Sequence, residues 1–380
     1  MTVSTATRSK EGQPRDFGFN EDIQMLKETA QRFLDEQQPA TRLRGSLAGT
    51  EDPHRGRVRA GWYDPAAWSA MQELGWHLVA VPESAGGIGM GLVAAVALQE
   101  EIGRSACPTP LTSTLLATFV LRAADATATL GRIAEGQSMA LAIYGPDGSL
   151  ESDDCTVTAT GDRLTGTAWF VQDAQKVDGF IVAARATEGL GLYHVSAADV
   201  ELRPDRIVDL TRDQGRIVLA DTPAEIVAAP GTGADVLARA LPALLTLTAA
   251  DIAGAAEWQL QTTAEYAKVR EQFDRPIGFF QAVKHPIVNM MVAADETRSL
   301  VYNAAAAFDF DPDDALRAAR LAKSSASDTA EFCANRSTQL HGGIGFTWEA
   351  DVQIWHKRQM HSQFLFGDGA WQRARLAELL

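Results

Sequence analysis

Arg270-Glu271-Gln272-Phe273-Asp274-Arg275-Pro276-Ile277-Gly278-Phe279-Phe280-Gln281-Ala282-Val283-Lys284-His285 ends one long helical pattern and starts another. Before it, Val236 to Arg270 carries Trp258, Tyr266 and Val269 on an apolar side at helical spacing. After it, the spacing predicts helices over Gln281 to Phe308, Asp313 to Gln339 and Ala350 to the C-terminus, with Pro312 at a tolerated N-terminal place. The segment is therefore a turn inside a helix bundle. Towards the N-terminus, Gly136 to Pro230 changes texture: Phe170-Val171, Phe180-Ile181-Val182 and Ile207-Val208 are short runs between Gly, Asp and Pro turns, predicting an antiparallel β unit. Further out, Asn20 to Gln37, Pro65 to Leu74, Leu92 to Ile102 and Leu111 to Leu130 are predicted helices, with Gln38 to Arg59 a loop. The expected class is α+β, divided as a helical domain over 1–135, a β domain over 136–230 and a helical bundle over 231–380.

Composition narrows the function. A chain of 380 residues with a formal charge of -15 can bury a large core but is poorly suited to a polyanion, so no nucleic-acid partner is expected. Cys107, Cys155 and Cys333 are isolated, which predicts neither a disulfide framework nor a metal site and suits a reducing cytoplasm. Met1 to Asp16 is polar and lacks the apolar centre of a leader, and no apolar run reads as a membrane span.

Three motifs carry a family resemblance. Glu73-Leu74-Gly75-Trp76 with Val81-Pro82-Glu83, Gly86-Gly87-Ile88-Gly89 and Glu100-Glu101-Ile102-Gly103-Arg104 resembles the N-terminal domain of acyl-CoA dehydrogenases. The segment opening at Arg270, and Gln339-Leu340-His341-Gly342-Gly343-Ile344-Gly345-Phe346-Thr347, are similar to that family's two internal signatures. The resemblance implies a tetramer-forming FAD enzyme that oxidises an acyl-CoA thioester to its trans-2-enoyl product. A carboxylate base takes the α-proton while the β-hydrogen leaves as hydride to the flavin, and the electron acceptor is not specified.

The resemblance also assigns roles. Taken alone, Arg270 is a surface cation near a helix C-terminus, and Gly342 with Gly343 is a helix cap. By resemblance, Arg270 reaches across a subunit boundary to a neighbour's flavin diphosphate, Phe273 and Gln281 pack beside it, the Gln339 amide hydrogen-bonds, and Gly342 and Gly343 admit the cofactor close to backbone. His341 belongs to the motif but is given no catalytic role, and His77, His285, His356 and His361 read as structural or surface residues.

The base is missing. Phe366, in Phe366-Gly367, stands where most of the family has its glutamate, and Leu244, with Leu245 at a substrate-contacting position, stands where a minority has it. Val171 occupies the usual hydroxyl position of the flavin-facing strand, and Ala142-Ile143-Tyr144-Gly145 lacks the usual Thr-Glu pair. Losses on the chain's own side, set against retention on the side offered to a neighbour, point to the base-lacking subunit of a heteromeric acyl-CoA dehydrogenase, whose paired enzymes often act on steroid side-chain CoA esters. The alternatives are a self-sufficient homotetramer with Asp368 or Asp251 as base, and a flavin-free scaffold.

Overall fold

The computed structural model describes residues 16–48 and 62–379. The polar N-terminal stretch up to Arg15 and the 49–59 part of the expected loop lie outside the described residues. The Asn20 side chain accepts from Ile23 N at 3.0 Å and so starts α1 (Glu21–Gln37), supplying a partner to an otherwise orphaned amide. Part of the expected loop is instead a helix, α2 (Ala40–Ala48). Its helical period is weak because one leucine, Leu43, does most of the burying, against Ile354 and Trp355 from the far end of the chain. Asp64 caps α3 (Pro65–Glu73), with Pro65 at the first helical position where its missing N–H costs nothing.

α4 (Leu92–Arg104) begins where Asp309 accepts from Leu92 N at 2.8 Å and Val93 N at 3.0 Å. The stretch predicted as a single helix over Leu111 to Leu130 is two, α5 (Leu111–Ala123) and α6 (Thr127–Ala134), separated by a turn with Asp125 at φ 52°.

The sheet follows: β1 (Met139–Ala142), β2 (Thr158–Thr160), β3 (Arg163–Gln172), β4 (Gly179–Ala186), β5 (Gly189–Ser196), β6 (Glu201–Pro204), β7 (Gln214–Pro223) and β8 (Glu225–Ala228). Its order is β6-β7-β3-β2-β4-β5-β8, with β1 also on β4. Most pairs are antiparallel, as expected, but β1 and β2 each run parallel to β4. Parallel neighbours need a long crossover, which local alternation does not reveal.

α7 (Gly233–Val269) is the central pillar. Every residue from Pro242 to Ala256 is buried, which explains its apolar character on all sides. It is long and apolar enough to cross a membrane, yet 78% of its most apolar window is buried inside the protein. α4 crosses it closely: a Cβ on Gly254 would stand 1.9 Å from the Glu100 carbonyl oxygen, so only glycine allows this approach. The hairpin β9 (Glu271–Gln272) and β10 (Arg275–Pro276) then leads into α8 (Gln281–Phe310) and α9 (Pro312–His341). The predicted last helix is α10 (Val352–Ser362) and α11 (Gly369–Ala377), parted by a turn in which Phe366 and Gly367 both take positive φ.

Candidate functional site

A cavity of about 1140 Å³ lies where the sheet meets α7 and the turn between α10 and α11. Leu244 from α7, Phe366 from that turn, Phe170 from β3 and Tyr144 beyond β1 all reach its wall. Thus the two positions at which the resemblance expects a base, far apart in sequence, converge on one space, and both are apolar. The Phe366 and Tyr144 ring centroids are 5.8 Å apart, Phe366 buried and Tyr144 partly buried. Leu245 is fully buried away from the cavity wall.

The Phe366 turn is tightly held. Its φ of 58° is costly for a side chain with a Cβ and persists only where surroundings over-determine it. Gln372 Nε2 donates to the Phe366 carbonyl at 2.5 Å, while Lys323 Nζ donates to the carbonyls of Gln363 at 2.7 Å and Gly367 at 2.9 Å. Burial pushes the Lys323 ammonium down to about 7, only partly opposed by Asp368.

On β3, a register shift between Ala168 and Val171, with Phe170 at φ 53°, interrupts the alternation of faces. Phe170 therefore meets the cavity, whereas Val171, which the resemblance aligns with the flavin-facing position, is buried off the cavity wall.

Neither carboxylate considered from sequence stands on this wall. Asp368 is the N-cap of α11, accepting from Trp371 N at 2.8 Å. Asp251 is buried between two guanidinium groups, 2.6 Å from Arg212 Nη2 and 2.6 Å from Arg358 Nη2. Burial alone would raise its carboxyl, but the two arginines outweigh that and hold it down to about 2.

Two wall groups were missed or undervalued. Asp209 is buried, and its Oδ1 accepts from Thr211 N at 2.8 Å and Thr211 Oγ1 at 2.7 Å. Its only sequence signal is the Asp-x-Thr spacing of an Asx turn. His361 sets Nε2 2.7 Å from Gln172 Oε1, and burial pushes it down to about 4, so the imidazole is neutral at physiological pH. No group of three or more His, Cys, Asp or Glu residues is placed to hold a metal among the described residues.

The other expected residues gather elsewhere. Tyr266 near the end of α7 stacks on His341 at the end of α9, with ring centroids 4.4 Å apart, and so brings the two motifs to the same end of the bundle. Arg270, Phe273, Gln281, Gln339, Gly342 and Gly343 are all exposed there. Phe273, at φ 55°, is 82% exposed, and a Cβ on Gly342 or Gly343 would meet only open space. Among the described residues, the side chains of Arg270, Gln281 and Gln339 have no hydrogen-bond or ion-pair partner, so their donors are uncommitted. A forked cation, two free amides and unobstructed backbone suit a dinucleotide diphosphate presented from outside this chain.

The acyl-CoA dehydrogenase N-terminal domain matches residues 20–129, and the C-terminal domain matches residues 231–380. Acyl-CoA dehydrogenase FadE34 of Mycobacterium tuberculosis is 35% identical over 80% of this chain, which spans only 41% of that protein's length. Acyl-CoA dehydrogenase IpdE2 of Mycolicibacterium smegmatis is 30% identical over 88% of this chain and 96% of its own. Among solved structures, a steroid acyl-CoA dehydrogenase variant, Tcur3481-Tcur3483, superposes with a TM-score of 0.81 at 27% identity over 94% of this chain and 97% of that one. A chain of the ChsE4-ChsE5 complex from Mycobacterium tuberculosis gives 0.82 at 26% identity over 96% and 98%. With both terminal domains matched and a relative aligned nearly end to end, the chain belongs to the acyl-CoA dehydrogenase family, oxidoreductases that use FAD.

Proposed function

We propose that this chain is the base-lacking subunit of a heteromeric FAD-dependent acyl-CoA dehydrogenase acting on a bulky thioester, a steroid side-chain CoA ester being the substrate class suggested by the steroid enzyme it resembles. The observation that carries this is the convergence of Phe366 and Leu244, both apolar, on one cavity. Neither side chain accepts a proton, and removing hydrogen from a weak carbon acid needs a base within reach. FAD, when bound, would supply the hydride acceptor. Arg270 holds its diphosphate, Gln281 and Gln339 hydrogen-bond it, Phe273 packs against it, and Gly342 and Gly343 let backbone approach it in a site whose base comes from a homologous partner. The uncommitted donors on that face weigh against a flavin-free scaffold. Division at 135/136 and 230/231 and residence in the cytoplasm belong to the same reading.

Asp209 supports a second reading, a self-sufficient homotetramer, because it is a carboxylate on the cavity wall, with Arg212 Nε 3.7 Å from its Oδ2. The two separate on co-expression with a homologue carrying glutamate at either missing position. One flavin per pair of chains, and turnover only by the pair, is the expected result. One flavin per chain with turnover by this chain alone overturns it, and loss of that turnover in Asp209→Asn would assign the base to Asp209.

A further inference from the structure

α8 carries an apolar strip that no described residue covers. Met290, Ala294, Thr297 and Val301 are buried on its inner side, whereas Val288, Met291 and Val292 are 49%, 44% and 55% exposed on the outer one. Lys284, Val288, Met291 and Asp295 follow one another at the alternating spacing of a seam along which two helices pack nearly side by side. Gln281, one of the uncommitted donors, opens the same face, so the strip is continuous with the surface offered to a neighbour.

The two ends of the strip carry opposite charge. Lys284, with His285 beside it, stands exposed on the N-terminal side, and Asp295 and Glu296 stand exposed on the C-terminal side. Among the described residues Lys284, His285 and Glu296 have no ion-pair partner, and Asp295 meets Arg298 of its own helix at 3.7 Å. At 1.5 Å of rise per residue, Lys284 and Asp295 are about 16 Å apart along the axis, with the apolar side chains between them. Turned end for end about a point beside Met290, the face reproduces itself: Lys284 falls opposite Asp295 or Glu296, and Val288 falls opposite Met291 or Val292. A parallel pairing would instead set lysine against lysine. The face is thus self-complementary under a two-fold axis, as an isologous contact requires. Three apolar side chains per copy make a small contact, in which the charged ends set the register more than the affinity.

We propose that, without the homologous partner, two copies of this chain pair through α8, antiparallel, about a two-fold axis beside Met290. The paired face includes Gln281, so self-pairing competes with the partner for the surface that lends donors to the cofactor. The competition rests on the function proposed above; the pairing itself does not.

Light scattering on the isolated chain over a dilution series tests the pairing, with circular dichroism reporting that each variant is folded. Wild type is expected to self-associate. Lys284→Glu, which makes both ends acidic, should raise the dissociation constant at least tenfold, and Lys284→Glu combined with Glu296→Lys, which exchanges the signs, should restore association. A monomeric wild type, or association unchanged in Lys284→Glu, overturns the pairing. A double variant no better than Lys284→Glu overturns the antiparallel register. Adding a homologue that carries the glutamate should dissolve the self-pair into a mixed complex; a self-pair that persists within the mixed complex overturns the competition. Failure of every such homologue to form a complex overturns the subunit assignment and leaves the pairing standing.

Discussion

Lys323 Nζ donates to the Gly367 carbonyl oxygen at 2.9 Å, fastening α9 to the turn that aims Phe366 into the cavity. The same ammonium donates to Ser327 Oγ at 2.9 Å, so its three protons are used within a buried site. Arg320, Lys323, Ser324, Ser327 and Asp328 form one face of α9 directed at this turn and the helix that follows it.

Lys323→Met leaves the Gly367 carbonyl unpaired and the Gln363 carbonyl held only by Ser327 Oγ at 3.3 Å, and is expected to cost about 1 to 3 kcal/mol, read by denaturant unfolding. The wild-type ammonium titrates near 7 when folded and near its ordinary 10.5 when unfolded. Between those values the unfolded state holds more protons, so this group's contribution to stability rises with pH from 7 to 10.5 and is lost as pH falls through 7. A variant with the same slope as wild type over that window would contradict this account.

Asp251→Asn should strand Arg212 and Arg358 in the core at a cost of about 3 to 5 kcal/mol. With its carboxyl near 2 in the fold and 3.8 as the ordinary value, Asp251 contributes stability fully above the latter, and loses it as pH falls towards 2. Acid unfolding followed by circular dichroism should show a shallower loss in Asp251→Asn between those limits.

Gly254→Ala places a Cβ 1.9 Å from the Glu100 carbonyl oxygen and should cost about 3 kcal/mol or more. Gly131→Ala, where the new atom meets nothing within 4 Å on α6, should be neutral or stabilise by up to about 1 kcal/mol through helix propensity. Equal melting temperatures for the two variants would show that the α4–α7 approach is not tight.

Among the described residues the Arg270 side chain has no hydrogen-bond or ion-pair partner, so in Arg270→Leu the thermal stability of the isolated chain should change by less than about 0.5 kcal/mol. Flavin retained by the two-chain complex after gel filtration should nevertheless fall at least tenfold. Retention at the wild-type level would remove Arg270 from the cofactor's surroundings.

The sequence alone determined the order of helices, sheet and bundle, because apolar period and Gly, Pro and Asp punctuation are local properties of the chain. It also located Phe366 and Leu244 as apolar where a base was expected, since motif spacing survives without coordinates. Other features needed the fold. α2 is stabilised by Leu43 meeting Trp355 from the opposite end of the chain, and the Phe170 bulge depends on cross-strand register. Asp251 became a buried ion-cluster residue and Asp368 a helix cap only once Arg212, Arg358 and Trp371 were seen beside them. Asp209, marked in the sequence only by the spacing of an Asx turn, acquired meaning from lying on the cavity wall. A residue's type and period are written locally, whereas its burial and its unpaired donors and acceptors are set by partners that only tertiary packing brings within a few ångströms.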